Sequence, residues 1–388
     1  MKKLFVSGMV AFSLIIGAAG VSAAEGQGIK VLVDDKALTF EVQPYLAEGN
    51  TLVQFRTAFE ALGLKVDWDA GKQEVTGVND KTNVKLVIGS TTAWVNGKEI
   101  QLEVAPVIKD NVTFIPLRFV GEASGREVSW DGLSQTVYIA KTDQQIKHVV
   151  QRQVDGSALE DVNAVLATID PASPVYESTK AILTQTFALY DLAYDLKISD
   201  KVEVDKDNAS VAFTQTTKKV KGPDFENTQV EAVALLKRIN GEWKTSQTVI
   251  NKIDYLKADQ YKEETITLPT DEQSKILAVI ERDRQLSEKE DFDSLTALYD
   301  SSYPDIAQKM IQGKQLAAVF ELTFTNTSVK IIKATTNEAY VRVQSKISKV
   351  SGPDFRNFNS DDMTVLKKQT DGTWKISNGI PLSISFIE

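Results

Sequence analysis

Hydrophobic positions change period within residues 51–69, TLVQFRTAFEALGLKVDWD. Phe55, Ala58, Phe59 and Leu62 recur at the spacing of one helix face, Gly63 ends the run, and Val66-Asp67-Trp68 resumes the alternation of a strand. In residues 113–131, TFIPLRFVGEASGREVSWD, Leu117, Val120 and Ala123 followed by Gly125 repeat the scheme. An ungapped offset of 62 relates the segments, from Val33 against Val95, through Pro44 against Pro106 and Arg56 against Arg118, to Trp68 against Trp130. Upstream, Val31 to Val33 and Ala93 to Val95 run into Asp34-Asp35 and Asn96-Gly97, which are hairpin signals. Each copy predicts two short strands, a helix and a strand. Glycine stands where the helix needs a positive φ, and tryptophan is expected as a buried plug.

Residues 143–388 hold a second duplication, at an offset of 130. KVKGPDF at 219–225 returns as KVSGPDF at 349–355, and Ile146, Asp170 and Val211 pair with Ile276, Asp300 and Val341. The offset becomes 131 where Ile239-Asn240-Gly241 turns into Gln369-Thr370-Asp371-Gly372, so Trp243 pairs with Trp374. Asn-Gly and Asp-Gly mark this as a hairpin turn, where an insertion is tolerated. Each copy starts helical. Thr270-Asp271-Glu272-Gln273 reads as a capping box before the stripe Ile276, Val279, Ile280 and Leu286, and Thr142-Asp143-Gln144-Gln145 precedes Ile146, Val149 and Val150. A shorter helix is expected near Leu295 to Tyr299, then antiparallel strands around 339–343, 363–367 and 373–376.

Lys2 and Lys3, the apolar run Leu4 to Ala19 and Val21-Ser22-Ala23 have the form of a secretory leader, which predicts a signal peptide at 1–23 and a secreted protein associated with the cell wall without covalent attachment, and export without any cysteine suits a Gram-positive cell. With no cysteine, stability must come from packing alone. Loss of the two lysines takes the formal charge from -9 to -11, which disfavours nucleic acid and anionic membrane as partners.

The run VNGKEIQLEVAPVIKDNVTFIPLRFVGEASGREVSWD resembles the copper amine oxidase N-terminal domain family, also called the stalk domain, over about residues 28–141. Ile115-Pro116-Leu117-Arg118 matches the family's valine-proline-leucine-arginine motif, whereas Val53-Gln54-Phe55-Arg56 lacks the proline. The resemblance implies a non-catalytic module. Amine oxidase activity is rejected, because the chain's one histidine, His148, cannot supply a copper site. Helices followed by antiparallel strands closing on a Gly-x-Trp-Lys pattern resemble the NTF2-like fold. The expected fold class is thus α+β and multidomain, a duplicated ββαβ stalk domain at 24–142 followed by NTF2-like cones at 143–267 and 268–388.

Tyr190, Asp191, Tyr194 and Asp195, and Tyr299, Asp300, Tyr303 and Asp305, are the acid–phenol clusters that could move protons in a cone. Helix-end Tyr and Asp more often cap and pack, so no catalytic residue is assigned. Arg56 with Glu60 and Arg118 with Glu122 read as surface pairs one helical turn apart. Gly-Pro-Asp-Phe reads as a strand connection, its aspartate satisfying local amides and its phenylalanine anchoring the loop. His148 is expected partly exposed on the opening helix, and Asp361-Asp362 and Glu263-Glu264 lack calcium-loop spacing. No metal ligand, cofactor site, Walker loop or nucleophile elbow is expected. The expectation is a non-enzymatic cell-envelope protein that binds or spaces a wall polymer or envelope protein. The alternative is a secreted isomerase, dehydratase or hydrolase acting on a small apolar substrate in a cone.

Overall fold

A computed structural model describes residues 28–132, 134–223, 225–257, 260–304 and 306–387, so the expected leader lies outside the described residues. The first repeat runs β1 (Lys30–Val33), β2 (Lys36–Ala37), β3 (Tyr45–Ala47), β4 (Asn50–Gln54), α1 (Phe55–Ala61), β5 (Lys65–Asp69), β6 (Glu74–Val78) and β7 (Asn83–Val87). The second runs β8 (Thr92–Val95), β9 (Lys98–Gln101), β10 (Val107–Lys109), β11 (Val112–Pro116), α2 (Leu117–Ala123), β12 (Glu127–Asp131) and β13 (Thr136–Ala140). Each repeat has an extra hairpin before its helix and a strand pair after it. The extra hairpins turn on Glu48-Gly49 and Asp110-Asn111, all at positive φ, and β3 and β10 have three residues each, too few to show alternation.

Gly63 and Gly125 end the helices at φ 75° and 76°, as their position demands. Phe59 and Ile115 are fully buried in the stalk core, whereas Trp68 and Trp130 only pack against it, half-buried, where buried plugs were expected. The repeats meet in a sheet ordered β10-β11-β4-β3, where Val53 faces Ile115.

The second duplication gives α3 (Thr142–Ala158), α4 (Val162–Ala167), α5 (Tyr176–Leu189), β14 (Asp191–Asp205), β15 (Asn208–Lys221), β16 (Thr228–Ile239) and β17 (Glu242–Tyr255). Its second copy gives α6 (Thr270–Glu288), α7 (Phe292–Ala297), α8 (Ile306–Ala317), β18 (Glu321–Ala334), β19 (Glu338–Ser351), β20 (Phe358–Lys368) and β21 (Trp374–Phe386). In each, helices pack on one face of bulged antiparallel strands, the NTF2-like cone. Ile146, Val149 and Val150 of α3 meet Val211, Ala234 and Leu236, and Ile276 and Ile280 of α6 meet Val341, Val343 and Leu366. The sequence pattern did not announce α5, which has no fully buried residue and hence a weak stripe.

The capping boxes are absent as hydrogen bonds. Helix α6 starts at Thr270 after Pro269, with no side-chain cap, and Glu272 turns to the sheet instead. The cones share one eight-stranded sheet, ordered β14-β15-β16-β17-β21-β20-β19-β18. At its centre Lys252, Ile253 and Asp254 pair with Ser385, Ile384 and Ser383.

Candidate functional site

The second cone brings together five polar side chains from four elements. Asp283 lies on α6 in the same stripe as Ile276 and Ile280, Tyr299 and Tyr303 sit between α7 and α8, Lys309 lies on α8 and Asp362 on β20. The Tyr299 hydroxyl donates to Asp283 Oδ1 at 2.9 Å. Tyr303 meets the Tyr299 ring edge-on at 4.8 Å, and Lys309 Nζ lies 5.1 and 5.2 Å from the two ring centroids, 3.3 Å from the Tyr303 hydroxyl. Burial pushes the Asp283 carboxyl above its ordinary range, against the opposing pull of Lys309 and of the Tyr299 hydrogen bond. Asp362 is likewise raised, chiefly by burial, and Tyr299 is raised by burial and then by the Asp283 charge.

A carboxyl and a phenol displaced toward their protonated forms can donate protons. Here, however, the Tyr299 hydroxyl is engaged by Asp283, and the ring is 7% exposed. The first cone carries Gln153, Ile169, Ser173, Thr179 and Ala232 at the five equivalent positions, so it lacks the constellation. The sequence singled out Tyr299 and Tyr303, weighed Asp362 only as a calcium ligand, and missed Asp283 and Lys309. An acidic residue inside the apolar stripe of α6 was the available signal.

Other predicted residues stand apart. Asp300 accepts from Ser302 Oγ at 2.5 Å, from Ser302 N at 2.8 Å and from Gln369 Nε2 at 2.8 Å, contacts that hold its carboxyl at about 2. Its counterpart Asp170 accepts from Ala172 N at 2.8 Å, so both are turn caps. Asp305 lies outside the described residues. In the first cone Tyr190 is buried against Phe225, Asp191 pairs with Lys221 at 3.9 Å, and Tyr194 and Asp195 point to opposite faces of β14. No proton-transfer pair forms among these four.

The Gly-Pro-Asp-Phe loops are clamps. Gly222 and Gly352 both adopt φ 119°, where a Cβ would lie 2.5 Å from Leu189 O and 2.7 Å from Val319 O. Phe225 and Phe355 pack tilted against Tyr190 and Phe320, each at 5.3 Å between ring centroids. Asn227 and Asn357 accept from Lys219 N and Lys349 N at 2.8 and 2.9 Å, so in the second loop this amide is satisfied by Asn357 and not by Asp354, which is exposed. Asp224 lies outside the described residues.

Arg56–Glu60 and Arg118–Glu122 are exposed pairs at 3.8 Å. Glu263 and Glu264 pair with Lys330 and Lys333, and Asp361 pairs with Arg342. No group of three metal-ligating side chains converges among the described residues.

The junction between stalk and first cone is built on Glu127 of β12. It accepts from Trp243 Nε1 at 2.9 Å and from Thr142 Oγ1 at 2.6 Å, and it pairs with Arg238. In the second cone the equivalent Trp374 donates to Glu272 at 2.9 Å, and the equivalent Lys368 pairs with that carboxylate at 2.7 Å. Thr142 occupies the position of Glu272, so the stalk supplies the acid that the first cone lacks. Buried Gln145 adds bonds to Glu127 O and Tyr138 O at 2.9 and 3.0 Å. His148 sits at the same junction, 2.5 Å from Asp35 and edge-on to Tyr138, partly exposed on its helix as expected.

Two family models match the chain. The copper amine oxidase N-terminal domain matches residues 32–139, and the anti-sigma-I factor RsgI9, C-terminal domain, matches 148–256 and again 278–387. The chain is 23% identical over 215 residues to anti-sigma-I factor RsgI9 of Acetivibrio thermocellus, covering 52% of this chain and 30% of that protein. It is 29% identical over 136 residues to a primary amine oxidase of Klebsiella aerogenes, covering 34% and 16%. The chain therefore spans less than a third of either relative's length. Among solved structures it is similar to a ketosteroid isomerase-like protein from Erwinia carotovora atroseptica, with TM-score 0.24, 18% identity and coverage of 27% of this chain and 91% of the other. It is also similar to an Ntf2-like protein involved in plasmid conjugation, with TM-score 0.21, 9% identity and coverage of 60% and 93%.

Proposed function

The chain belongs to the anti-sigma-I factor RsgI9 C-terminal domain family, with two copies of that domain behind a stalk-type module, and from this premise we propose that it is a secreted, non-catalytic cell-envelope module. It holds a fused pair of cones at a fixed attitude to its stalk and binds or spaces a wall polymer or an envelope protein. The observation that carries this reading is Glu127, a stalk residue that completes the first cone's tryptophan–cation site. A flexible tether would gain nothing from such a contact, whereas a spacer or presenting module requires one. The eight-stranded sheet extends the same rigidity through both cones.

Co-sedimentation of the full chain with purified Gram-positive cell walls tests the proposal. Saturable binding, weakened in a Glu127→Ala variant that frees the stalk, is the expected outcome. Failure of the chain to bind walls and to retain any envelope protein in a crosslinking pull-down would remove it.

The Asp283–Tyr299 pair is the specific observation that favours the other reading, an enzyme acting in the second cone. Turnover of a small carbonyl-bearing substrate that is abolished by Tyr299→Phe, with folding retained, would establish that activity and displace the non-catalytic proposal.

A further inference from the structure

The outer edges of the shared sheet are β14 and β18, which occupy equivalent places in the two cones. An edge strand presents unpaired backbone groups, and one of these two edges is sealed. The N–H of Phe324 on β18 donates to Glu288 Oε1 at 3.2 Å, and its C=O accepts from Arg284 Nη1 at 3.1 Å. Further along, the Ile332 C=O accepts from Glu264 N at 2.7 Å, and Glu263 and Glu264 pair with Lys330 and Lys333 at 2.6 and 2.9 Å. Helix α6 and the segment that leads into it therefore cap β18.

The first cone has none of these caps. Val154 and Ala158 stand at the positions of Arg284 and Glu288, and Tyr194 at that of Phe324. The position of Glu264 falls on Ser134, which lies in the stalk and donates to Asp131. Leu159, which follows Ala158, is 66% exposed. Because the N–H and C=O of Phe324 point outward, alternation along the equivalent strand turns those of Tyr194, Leu196 and Ile198 outward too. Among the described residues no side chain takes the place of the missing caps.

The side chains of this open stretch are self-complementary. Leu196 lies between Asp195 and Lys197, which are exposed on the other face of β14, and neither makes an ion pair with a described residue. Suppose that β14 of a second copy lies antiparallel to it with the two Leu196 residues opposite each other. Tyr194 then meets Ile198, and Asp195 meets Lys197 once in each direction. The outward backbone groups of Leu196 make the central pair a hydrogen-bonded one, so Asp195 and Lys197 fall on non-hydrogen-bonded pairs, where side chains approach most closely. Centring the pair on Asp195 or on Lys197 would instead oppose like charges. The equivalent residues of β18, Thr325, Asn326 and Thr327, carry no such pattern. We propose that the chain forms a two-fold homodimer by antiparallel pairing of β14 with β14 of a second copy, centred on Leu196, so that two eight-stranded sheets become one. The bulge between Ile198 and Val202 ends the straight run and keeps the contact short, which places the dimer in the weak, transient size class.

Sedimentation velocity of the full chain from micromolar to millimolar concentration tests it. Monomer and dimer should interconvert with concentration, and hydrogen exchange at the amides of Tyr194, Leu196 and Ile198 should slow as the dimer forms. Asp195→Lys sets lysine against lysine in both pairs, and Lys197→Asp sets aspartate against aspartate, so each variant alone should weaken the dimer by about tenfold or more. Mixing the two variants restores both oppositely charged pairs and should give a heterodimer about as tight as the wild-type dimer. Recovery on mixing also excludes misfolding as the cause of the single-variant losses. A monomer at every concentration, a dimer indifferent to both single variants, or a mixture that fails to recover would overturn the proposal. Exchange at β14 that slows only when an envelope protein is added would assign the edge to a foreign strand and overturn the second copy as its occupant.

Discussion

Ile253 faces Ile384 across the antiparallel pair β17–β21, and each stands in the other's place in the duplication. The flanking pairs, Lys252 with Ser385 and Asp254 with Ser383, obey the same exchange, so a local two-fold axis passes between the isoleucines. Val53 faces Ile115 in the stalk in the same way at the 62-residue offset. Both duplications therefore close like isologous dimers whose halves are joined by the chain, which makes association intramolecular.

The seam makes the cones one cooperative unit. Ile384→Asp puts a carboxylate beside Ile253 at the axis and should cost about 1–3 kcal/mol. Scanning calorimetry should show the cones of the wild type melting in one transition and those of the variant in two. A single unsplit transition in the variant would show that the seam does not couple them.

Glu127→Ala leaves the Trp243 indole and the Arg238 guanidinium without their acceptor, at an expected cost of about 1–3 kcal/mol. The loss should fall on the stalk–cone junction, read as faster proteolysis near Lys141 and altered Trp243 fluorescence. Glu272→Ala is the internal control, since it removes the equivalent acid from the second cone and should leave the junction intact.

Acid should act through Glu272. The Lys275 and Lys368 ammonium groups and the Trp374 N–H hold its carboxyl at about 2, below the ordinary 4.5. A depressed folded-state value favours the ionised form, so this stabilisation is present above about pH 4.5 and is lost as pH falls toward about 2. Urea midpoints measured from pH 6 to pH 2 should decline in that window, and Glu272→Gln should flatten the decline.

How much of this was legible depended on periodicity. Both repeats, the helix-ending Gly63 and Gly125, and the Asn240-Gly241 turn followed from residue type, because positive φ and apolar spacing leave local marks. Helix α5 left no mark because its apolar residues are half-buried or, like Ile182, exposed. The strand β7 has no counterpart in the second repeat, whose equivalent residues begin α3, so the 62-residue pattern could not predict it. Glu127 was invisible for a different reason. Its partners Arg238 and Trp243 lie 111 and 116 residues away, and its role shows only once Thr142 is seen at the Glu272 position. Asp283 could have been noticed as a carboxylate in an apolar stripe, but Lys309 reaches it, and Asp362 reaches Lys309, only through the fold.

Asp283 should be a liability at neutral pH. Its folded-state value is raised above 3.8, mainly by burial, so the protonated form is favoured in the fold. Stability from that preference is full below about pH 3.8 and is lost as pH rises through the folded value. Asp283→Asn, which can still accept from Tyr299, should raise the melting temperature at pH 7 by about 2–4 °C and have little effect at pH 3. A variant less stable at pH 7 would show that the charged pair is retained for its own stabilising contacts.

Gly352 distinguishes a structural clamp from a binding loop. Its φ of 119° is one that residues with a Cβ rarely adopt, and an added Cβ would meet Val319 O at 2.7 Å and Phe320 Cδ1 at 2.9 Å. Backbone is what stands in the way, so the loop and the connection between α8 and β18 would both have to move, at about 2–4 kcal/mol. Asp354 is exposed, and the neighbouring amide is already satisfied by Asn357, so Asp354→Ala should change stability by less than about 0.5 kcal/mol. Chemical denaturation of Gly352→Ala, Gly222→Ala and Asp354→Ala should therefore separate the two glycines from the aspartate. The glycine at each loop would then account for the repeated motif, and a wall- or ligand-binding defect in Asp354→Ala with unchanged stability would return the loop to the list of binding surfaces.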